Sequence, residues 1–548
     1  MKLTTFNLYF NTIKFLKLRQ IYWLLKYRFF KSRPLKVKIV APNKWLRRWN
    51  GPRWSSECWD GGTSFFFLEE MGVLKSQLDW NIESKSDLWL YNLHYLDCLN
   101  LHCKSNVVEQ KELINNWIHA NYDIDKLGWN PYCLALRIIN LIKWCSRNDV
   151  YSNEIVLSIG SQAEVLMTRI EYHLLGNHLF ANGKALIFAG AFLKGEAGQR
   201  FLNKGLKIID EQIDEQFLSD GGHFELSPMY HQILMWDVCD LVLLAEVSDI
   251  ERLKERCSSW RAVISAAEVW RGAMMHPDSE VAFFNDSAMG IAPPIQVISD
   301  FLEVLDIQEP PSDQAVFHDL KASGFFSISQ TEGHKLLINA CEISPTFQPG
   351  HSHADSLSFE LSVHGKRLLV NSGTSVYAVS DLRQWQRSTC AHNTLTFRLL
   401  DSSQVWGGFR VAKRAQIVDR SCYETHGKIS IEAAHDGFVQ QSIGSIHRRR
   451  WISTCTSLTI VDEIRSKAGD AVAHFFLHPD VSVTSVGSTR LVLKLHMNEI
   501  VFEVSSGQLQ VLKSKWYPKF GVPIDSTVII VSDFYDSLTS TVSWETNA

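Results

Sequence analysis

One change of hydrophobic period constrains this chain more than any other feature. From about residue 80 to 310, apolar residues recur three and four apart; past Pro310-Pro311 they fall in short β-branched runs. LALRIINLIKW (134–144), EIVLSIGSQAEVLMTRIEYHLL (154–175) and ILMWDVCDLVLLAEV (233–247) follow the helical spacing, with polar breaks such as GWNP and SDGGHF between helices. Each such helix has an apolar stripe to bury, so their succession predicts an all-α layered or toroidal unit. No repeat of fixed length is present, and no solenoid is inferred. Beyond the change, GFFSISQ, HKLLINACEI, LSFELSVHGKRLLVNSG, KISIEAA, SLTIVDEI, RLVLKLHM, IVFEVSS and STVIIVSDF alternate with turn residues at hairpin intervals. They predict a large antiparallel sandwich. The expected plan is multidomain α+β: a basic segment over residues 1–60, a helical domain over 61–312 and an antiparallel β domain over 313–548.

A chain of 548 residues needs more than one core, and 45% apolar with 21% charged residues suits a globular protein. The net charge of -4 supplies no pull toward nucleic acid. Eleven cysteines without a CxxC pair exclude a disulfide framework and a cysteine-type zinc site, and fit a reducing compartment. Eighteen tryptophans exceed what a core requires and offer faces for stacking on sugar rings.

The first stretch, LYFNTIKFLKLRQIYWLLKYRFFKSRPLK, is apolar and basic, and no acidic residue precedes Glu57. It lacks a run of about 18 uncharged apolar residues and a compact apolar core with a small-residue cleavage site. The expectation is a cytoplasmic protein, or one peripheral to the inner membrane, with residues 1–50 either lying on an anionic membrane surface or docked on a partner. The plainer alternative is a helix packed on the following domain with its basic face in water.

Four polar clusters interrupt the apolar patterns. In EYHLLGNHLFANGKAL, His178 and Asn182 are four apart on one helix face, with Asn177 beside them; the set suits a carboxylate, or simply caps a helix. In SDGGHFELSPMYHQIL, Pro228 sits at a first-turn position, and Glu225, Tyr230 and His231 gather at a loop mouth. A tyrosine there is either an acid–base group or a packed ring with a satisfied hydroxyl. In PGHSHADSLSFEL, His351, His353 and Asp355 share one face if the strand starts early, and a His-x-His pair is a partial metal site that lacks a third ligand. In RQWQRSTCAHNTLTF, His392 is a candidate third ligand or catalytic histidine, and Arg387 a candidate grip on an acidic substrate. GSIHRRRW, at 444–451, reads as a charge-guarded edge strand or a face for an anionic polymer.

Together these stretches, with LWLYNLHYLD (88–97), GWNPYCLALRIINLIKW (128–144), HPDSEVAFFNDSA (276–288), NSGTSVY and RSTCAHNT, resemble the heparinase II/III family of polysaccharide lyases. The resemblance is to members encoded with bacterial surface-polysaccharide genes. It implies an incomplete (α/α) toroid followed by an antiparallel β-sandwich, and β-elimination at a uronic acid of an acidic polysaccharide tied to capsule or O-antigen metabolism. It implies carboxylate neutralisation at Asn177 and His178, an acid at Tyr230, and catalytic or supporting histidines at His351 and His392. Asn182, Glu225, His231, Arg387 and Trp129 complete the expected substrate contacts. No cofactor is required. A structural Zn2+ in this family would fall to His353, His392 and the position of Asn371, where the usual acid of a DPGT-like stretch is an amide. Asp355 is expected to orient one of the histidines. Two other readings of the residues stand beside this one. One is a glycan-binding or biosynthesis-accessory protein on the same fold. The other is a glycoside hydrolase pairing Glu225 with Asp278, Glu280 or Asp286.

Overall fold

The structure, a computed structural model, describes residues 2–30, 33–35, 41–76, 79–308, 316–330, 333–425, 427–442, 444–465, 467 and 469–545. The Pro310-Pro311 junction, Lys31, Lys36 and Lys38 lie outside the described residues.

Two helices open the chain, α1 (Lys2–Ile13) and α2 (Leu18–Phe29), and a hairpin of Ser64–Phe67 with Glu70–Val73 follows. The helical body comprises α3 (Asp87–Tyr95), α4 (Val107–Ala120), α5 (Pro131–Asn148), α6 (Asn153–Thr168), α7 (Gly176–Phe192), α8 (Gly195–Gln216), α9 (Pro228–Ser248), the short α10 (Glu251–Lys254), α11 (Cys257–Met274) and α12 (Ile295–Val304). The odd-numbered helices α3, α5, α7 and α9 pack side by side as an inner row, with α4, α6, α8 and α11 outside. α7 and α9 are apolar nearly all round because both of their sides are covered. α8 keeps one stripe, including Phe201, Leu206, Ile209 and Ile213, and buries it on α7. Glycine permits their close approach: a Cβ on Gly205 would stand 2.7 Å from the Gly183 carbonyl of α7.

The β half is two antiparallel sheets. One runs in the order Gln508–Lys519, Val522–Ser532, Ala471–Leu477, Lys366–Leu369, Phe359–Val363, His334–Asn339, Phe325–Gln330, Phe317–Leu320, with Leu395–Phe397 also paired to Ala471–Leu477. The other runs Ile417–Thr425, Lys428–His435, His447–Ser453, Ser457–Glu463, Ser537–Trp544, Asn498–Val504, Arg490–Leu495, Val481–Val486. Their inner faces share one core in which Phe359, Leu361 and Phe475 meet Trp451, Ile460 and Phe502. This is the sandwich the alternation required.

The basic tract corrects its sequence reading. The strand His447–Ser453 is interior, paired on both sides, rather than an edge. Arg448 and Arg450 point outward to Glu432, while His447 and Arg449 point inward to Asp462. Arg449 is fully buried and also donates to the carbonyls of Leu357 and Asn393, which hold the loops leading to His353 and His392. Breaking a buried pair leaves an uncompensated charge. Arg449→Met is therefore expected to lower unfolding stability in urea by about 3–5 kcal/mol, and Arg449→Met/Asp462→Leu to recover much of that loss. A single variant as stable as the parent would refute the role given to this pair.

Candidate active site

One carboxylate organises the junction of the two halves. Asp286, in the loop after α11, is fully buried. Its Oδ2 accepts from His351 Nδ1 at 2.9 Å and Arg383 Nη2 at 2.7 Å, and its Oδ1 from His353 Nε2 at 2.8 Å and Arg383 Nη1 at 2.5 Å. Burial alone would raise this carboxyl, but the Arg383 guanidinium and the two imidazoles outweigh it and hold it well below the usual carboxylate range. Its backbone is tied as well. Its N–H donates to His351 O at 3.0 Å, and its carbonyl accepts from Ser227 Oγ at 2.6 Å. Ser227 is the N-cap of α9 and accepts from Tyr230 N at 3.2 Å.

His351 gives its Nδ1 proton to Asp286, which turns the Nε2 lone pair toward Asn177 and Glu225. Asn177 Nδ2 lies 3.4 Å from that nitrogen and Glu225 Oε2 3.8 Å. The His351 ring packs on the Tyr230 ring with centroids 4.1 Å apart. Tyr230 Oη is 3.2 Å from Tyr377 Oη. Burial, and then the neighbouring Tyr377 oxygen, push the Tyr230 phenol well above its ordinary value, so it holds its proton at neutral pH.

Asn177 is fixed by a strained entry into α7, where Leu175 has φ 66° and Gly176 φ 57°. A Cβ on Gly176 would collide with the side-chain oxygens of Gln348 and Glu225. The Asn177 backbone N–H and Nδ2 both donate to Glu225, at 3.0 Å to Oε1 and 3.0 Å to Oε2. His178, half-buried, donates from Nδ1 to Glu171 Oε1 at 3.1 Å. Burial would lower this imidazole, but the Glu171 charge and hydrogen bond raise it above its ordinary value. A cavity of about 430 Å³ opens beside the Tyr230–Tyr377 pair and runs into the helical layer, lined among others by Tyr132, Lys143, Lys184 and Trp236.

Several expected residues fall elsewhere. His351, His353 and Asp355 share no strand face, because the strand begins only at Phe359 and they occupy a loop. Asp355 orients neither histidine; Asp286 does, while Asp355 Oδ2 has no hydrogen-bond partner. Asn182 is buried behind the site, where it accepts from Glu171 N at 2.9 Å and donates to Glu171 Oε2 at 3.1 Å. It braces the carboxylate that holds His178 rather than touching a ligand. His231 lies against Trp270, at 4.3 Å between centroids, and donates to the Ala267 carbonyl at 2.9 Å; burial lowers it to about 3. Trp129 is a core residue that donates to Asn121 O at 2.9 Å and packs on Trp117. Arg387 is fully buried and donates twice to Ser352 O, clamping the PGH loop from behind instead of gripping a substrate. His392 is buried beneath His353 and reaches no cleft atom; its Nδ1 donates to Ser388 O at 2.8 Å. Glu225 is in the site, but its oxygens belong to Asn177. The hydrolase pairings of Glu225 with Asp286 and Asp278 fail on the same ground, since Asp286 spends both oxygens on Arg383 and two histidines and Asp278 pairs with Arg367; Glu280 is exposed.

Arg383, Tyr377 and Glu171 were missed as site residues, and Asp286 was named only as a partner of Glu225 in the hydrolase reading. All four lay inside quoted stretches, yet no periodicity separates them from their neighbours; only Glu171, seven residues before His178, had a signal in its carboxylate beside a polar cluster.

The zinc expectation fails its fit. Asn371 spends its amide on the backbone, donating to Phe283 O at 3.1 Å and accepting from Asn393 N at 2.9 Å. His353 Nδ1 and His392 Nε2 are 3.1 Å apart, but two imidazoles fall short of the three or four ligands zinc takes. Among the described residues no group of three His, Cys, Asp or Glu is placed to hold a metal ion.

Residues 146–306 match the family described as heparinase II/III N-terminus, and residues 313–545 the one described as heparinase II/III-like, C-terminal. A heparin-sulfate lyase of Bacteroides stercoris is 27% identical over 244 residues, covering 41% of this chain and 36% of that protein. A heparin-sulfate lyase of Pedobacter heparinus is 25% identical over 311 residues, covering 51% and 46%. The chain thus spans less than half the length of these curated relatives. Its fold is similar to the crystal structure of heparinase III, with a TM-score of 0.68 at 16% identity over 87% of this chain and 80% of that one.

Asp355 yields a pH prediction. Burial raises its carboxyl from 3.8 to about 7, so the folded state favours the neutral acid. That contribution is fully present below 3.8 and is lost as pH rises through about 7. The thermal midpoint of Asp355→Asn should therefore fall less than that of the parent between about pH 5 and about pH 8. Equal falls in differential scanning fluorimetry would show that Asp355 does not titrate in this window.

Proposed function

The chain belongs to the heparinase II/III family, and we propose that it is a polysaccharide lyase that cleaves a uronate-containing acidic glycan by β-elimination. The observation that carries this reading is the stacking of Tyr230, from the helical half, on His351, from the β half, with the Asn177 amide beside them.

The reaction makes three demands, and each meets a group suited to it. Neutralising the uronate carboxylate makes the C5 proton acidic; the His178 imidazole, biased toward its cation by Glu171, supplies one donor, and the Asn177 amide, which rests on Glu225, supplies a second on turning to the substrate. A base must take the C5 proton; with Nδ1 committed to Asp286, His351 Nε2 is the acceptor nitrogen, and the Asn177 amide is its 3.4 Å neighbour. An acid must protonate the leaving glycosidic oxygen; Tyr230 keeps its proton and lines the cavity. The C4–O bond breaks as the C4–C5 double bond forms, the C5 proton ends on His351 and the Tyr230 proton on the leaving oxygen. Exchange with solvent then resets both groups.

The names of the heparin-sulfate lyases support an acidic glycan as the substrate class. Within that class we place the substrate among bacterial surface polymers, a reading that draws on the likeness to members encoded with surface-polysaccharide genes.

Incubation with a panel of uronate polymers, bacterial capsule and O-antigen preparations included, is expected to give the ultraviolet absorbance of the unsaturated uronate. Tyr230→Phe and His351→Ala should each lower that rate at least about 10²-fold without unfolding the chain. Absence of unsaturated product on every uronate polymer, or full activity in Tyr230→Phe, would falsify the assignment.

A further inference from the structure

The two N-terminal helices turn their apolar stripes away from the protein. In α1, Phe6, Phe10 and Ile13 follow one another four and three residues apart and are all exposed, Phe6 by 68%. In α2, Leu18, Tyr22, Leu25 and Phe29 repeat the pattern, with Leu18 exposed by 85% and Phe29 by 72%. A stripe at this spacing ordinarily marks the side that packs.

Here the opposite side already packs. Buried Gln20 donates to the carbonyls of His173 and Phe347, one from each half of the molecule. Tyr27 Oη donates to Ile170 O, and Trp23 lies 4.7 Å from the Tyr172 ring. Trp406 Nε1 donates to Thr12 Oγ1 at 3.2 Å and its ring meets Tyr9 at 4.9 Å. The helices are docked by polar and aromatic contacts, and the plain apolar stripe is left for something else.

Charge identifies the occupant. Fourteen Lys and Arg residues precede Glu57, the first acidic residue. Lys17 and Arg19 pair with Glu215 and Glu211 of α8, but among the described residues no ion pair engages Lys14, Lys26 or Arg28. A second copy would bring two cationic stripes face to face. An anionic bilayer offers an acyl boundary to the stripe and phosphates to the free cations. We propose that the outward face of α1 and α2 is a docking surface for anionic phospholipid, which seats the protein on a membrane without crossing it. No described helix is long and apolar enough to span a bilayer. The proposal is independent of the reaction assigned to the cleft.

Co-sedimentation of the full chain with phosphatidylglycerol/phosphatidylethanolamine vesicles and with phosphatidylcholine vesicles tests it. Binding to the anionic vesicles should be about tenfold or more tighter. Phe6→Ser/Phe10→Ser/Leu18→Ser/Phe29→Ser should lose about tenfold or more of that binding while keeping the parent's thermal midpoint, because all four side chains are exposed. Lys14→Glu/Lys26→Glu/Arg28→Glu should weaken binding similarly and remove its sensitivity to salt. Failure of the parent to pellet with anionic vesicles, or parental binding by the serine variant, overturns the proposal. So does a parent dimer in light scattering that the same four serines dissociate, since the occupant would then be a second copy.

Discussion

Everything at the junction depends on keeping one fully buried carboxylate charged. An isolated carboxylate in such a place would be prohibitively costly, and Asp286 persists because Arg383 meets it with two parallel N–H···O bonds. That pairing has a geometric consequence. With Arg383 supplying the countercharge, the remaining lone pairs of Asp286 are free to orient two imidazoles, His351 and His353. The same residue reaches the cap of α9 through its carbonyl and the PGH loop through its amide. Three segments distant in sequence, around 227, 286 and 351, are therefore held to one another by a single side chain and its peptide. A shift in any of them would leave a buried donor or the Arg383 charge unpaired, which is the kind of penalty that keeps a site rigid.

The division of labour among ionisable groups follows from burial and neighbours. Tyr230 and His351 touch, yet one keeps a proton and the other presents a lone pair, because the phenol is desolvated beside another phenol and the imidazole is backed by a carboxylate. His178, on the other wall, is drawn toward its cation by Glu171. His231 is deep in the core, where no carboxylate offsets the loss of water, and falls to about 3. Tyr230, His178 and His231, gathered by the fold from separated stretches of chain, are thus shifted in different directions, and nothing in their spacing foretells which.

That is also where the sequence stopped being legible. The helical period, the switch to short β-branched runs and the first-turn position of Pro228 were readable because backbone hydrogen bonding and apolar burial act locally, on residues a few positions apart. So was the membership of Asn177, His178, Tyr230 and His351 in polar clusters. Hidden were partnerships over long separations: Asp286 with Arg383, ninety-seven residues on, and Arg449 with the carbonyls of Leu357 and Asn393. A buried arginine and a substrate-binding arginine look alike in a sequence, and Arg387 was misread for that reason; only the Ser352 carbonyl behind it shows which it is. Asn371 behaved differently. The amide at a position expected to carry an acid was visible as an anomaly, and its engagement with Phe283 and Asn393 gives the physical counterpart.

The same limit governs amphipathic helices. α8 and α2 both carry apolar residues at helical spacing, and the pattern alone assigns both stripes to the interior. For α8 the assignment holds, since Leu206 and Ile209 meet α7. For α2 the protein offers carbonyls at His173, Ile170 and Phe347, and a polar face of Gln20 and Tyr27 satisfies them better than leucines would. Burying the apolar stripe there would have stranded those acceptors without donors, at a cost comparable to the hydrophobic gain. Which side of an amphipathic helix turns inward is therefore decided by the unsatisfied groups of the surface that receives it. Periodicity locates the stripe; which side of the helix it takes is fixed by hydrogen-bonding demand elsewhere in the chain.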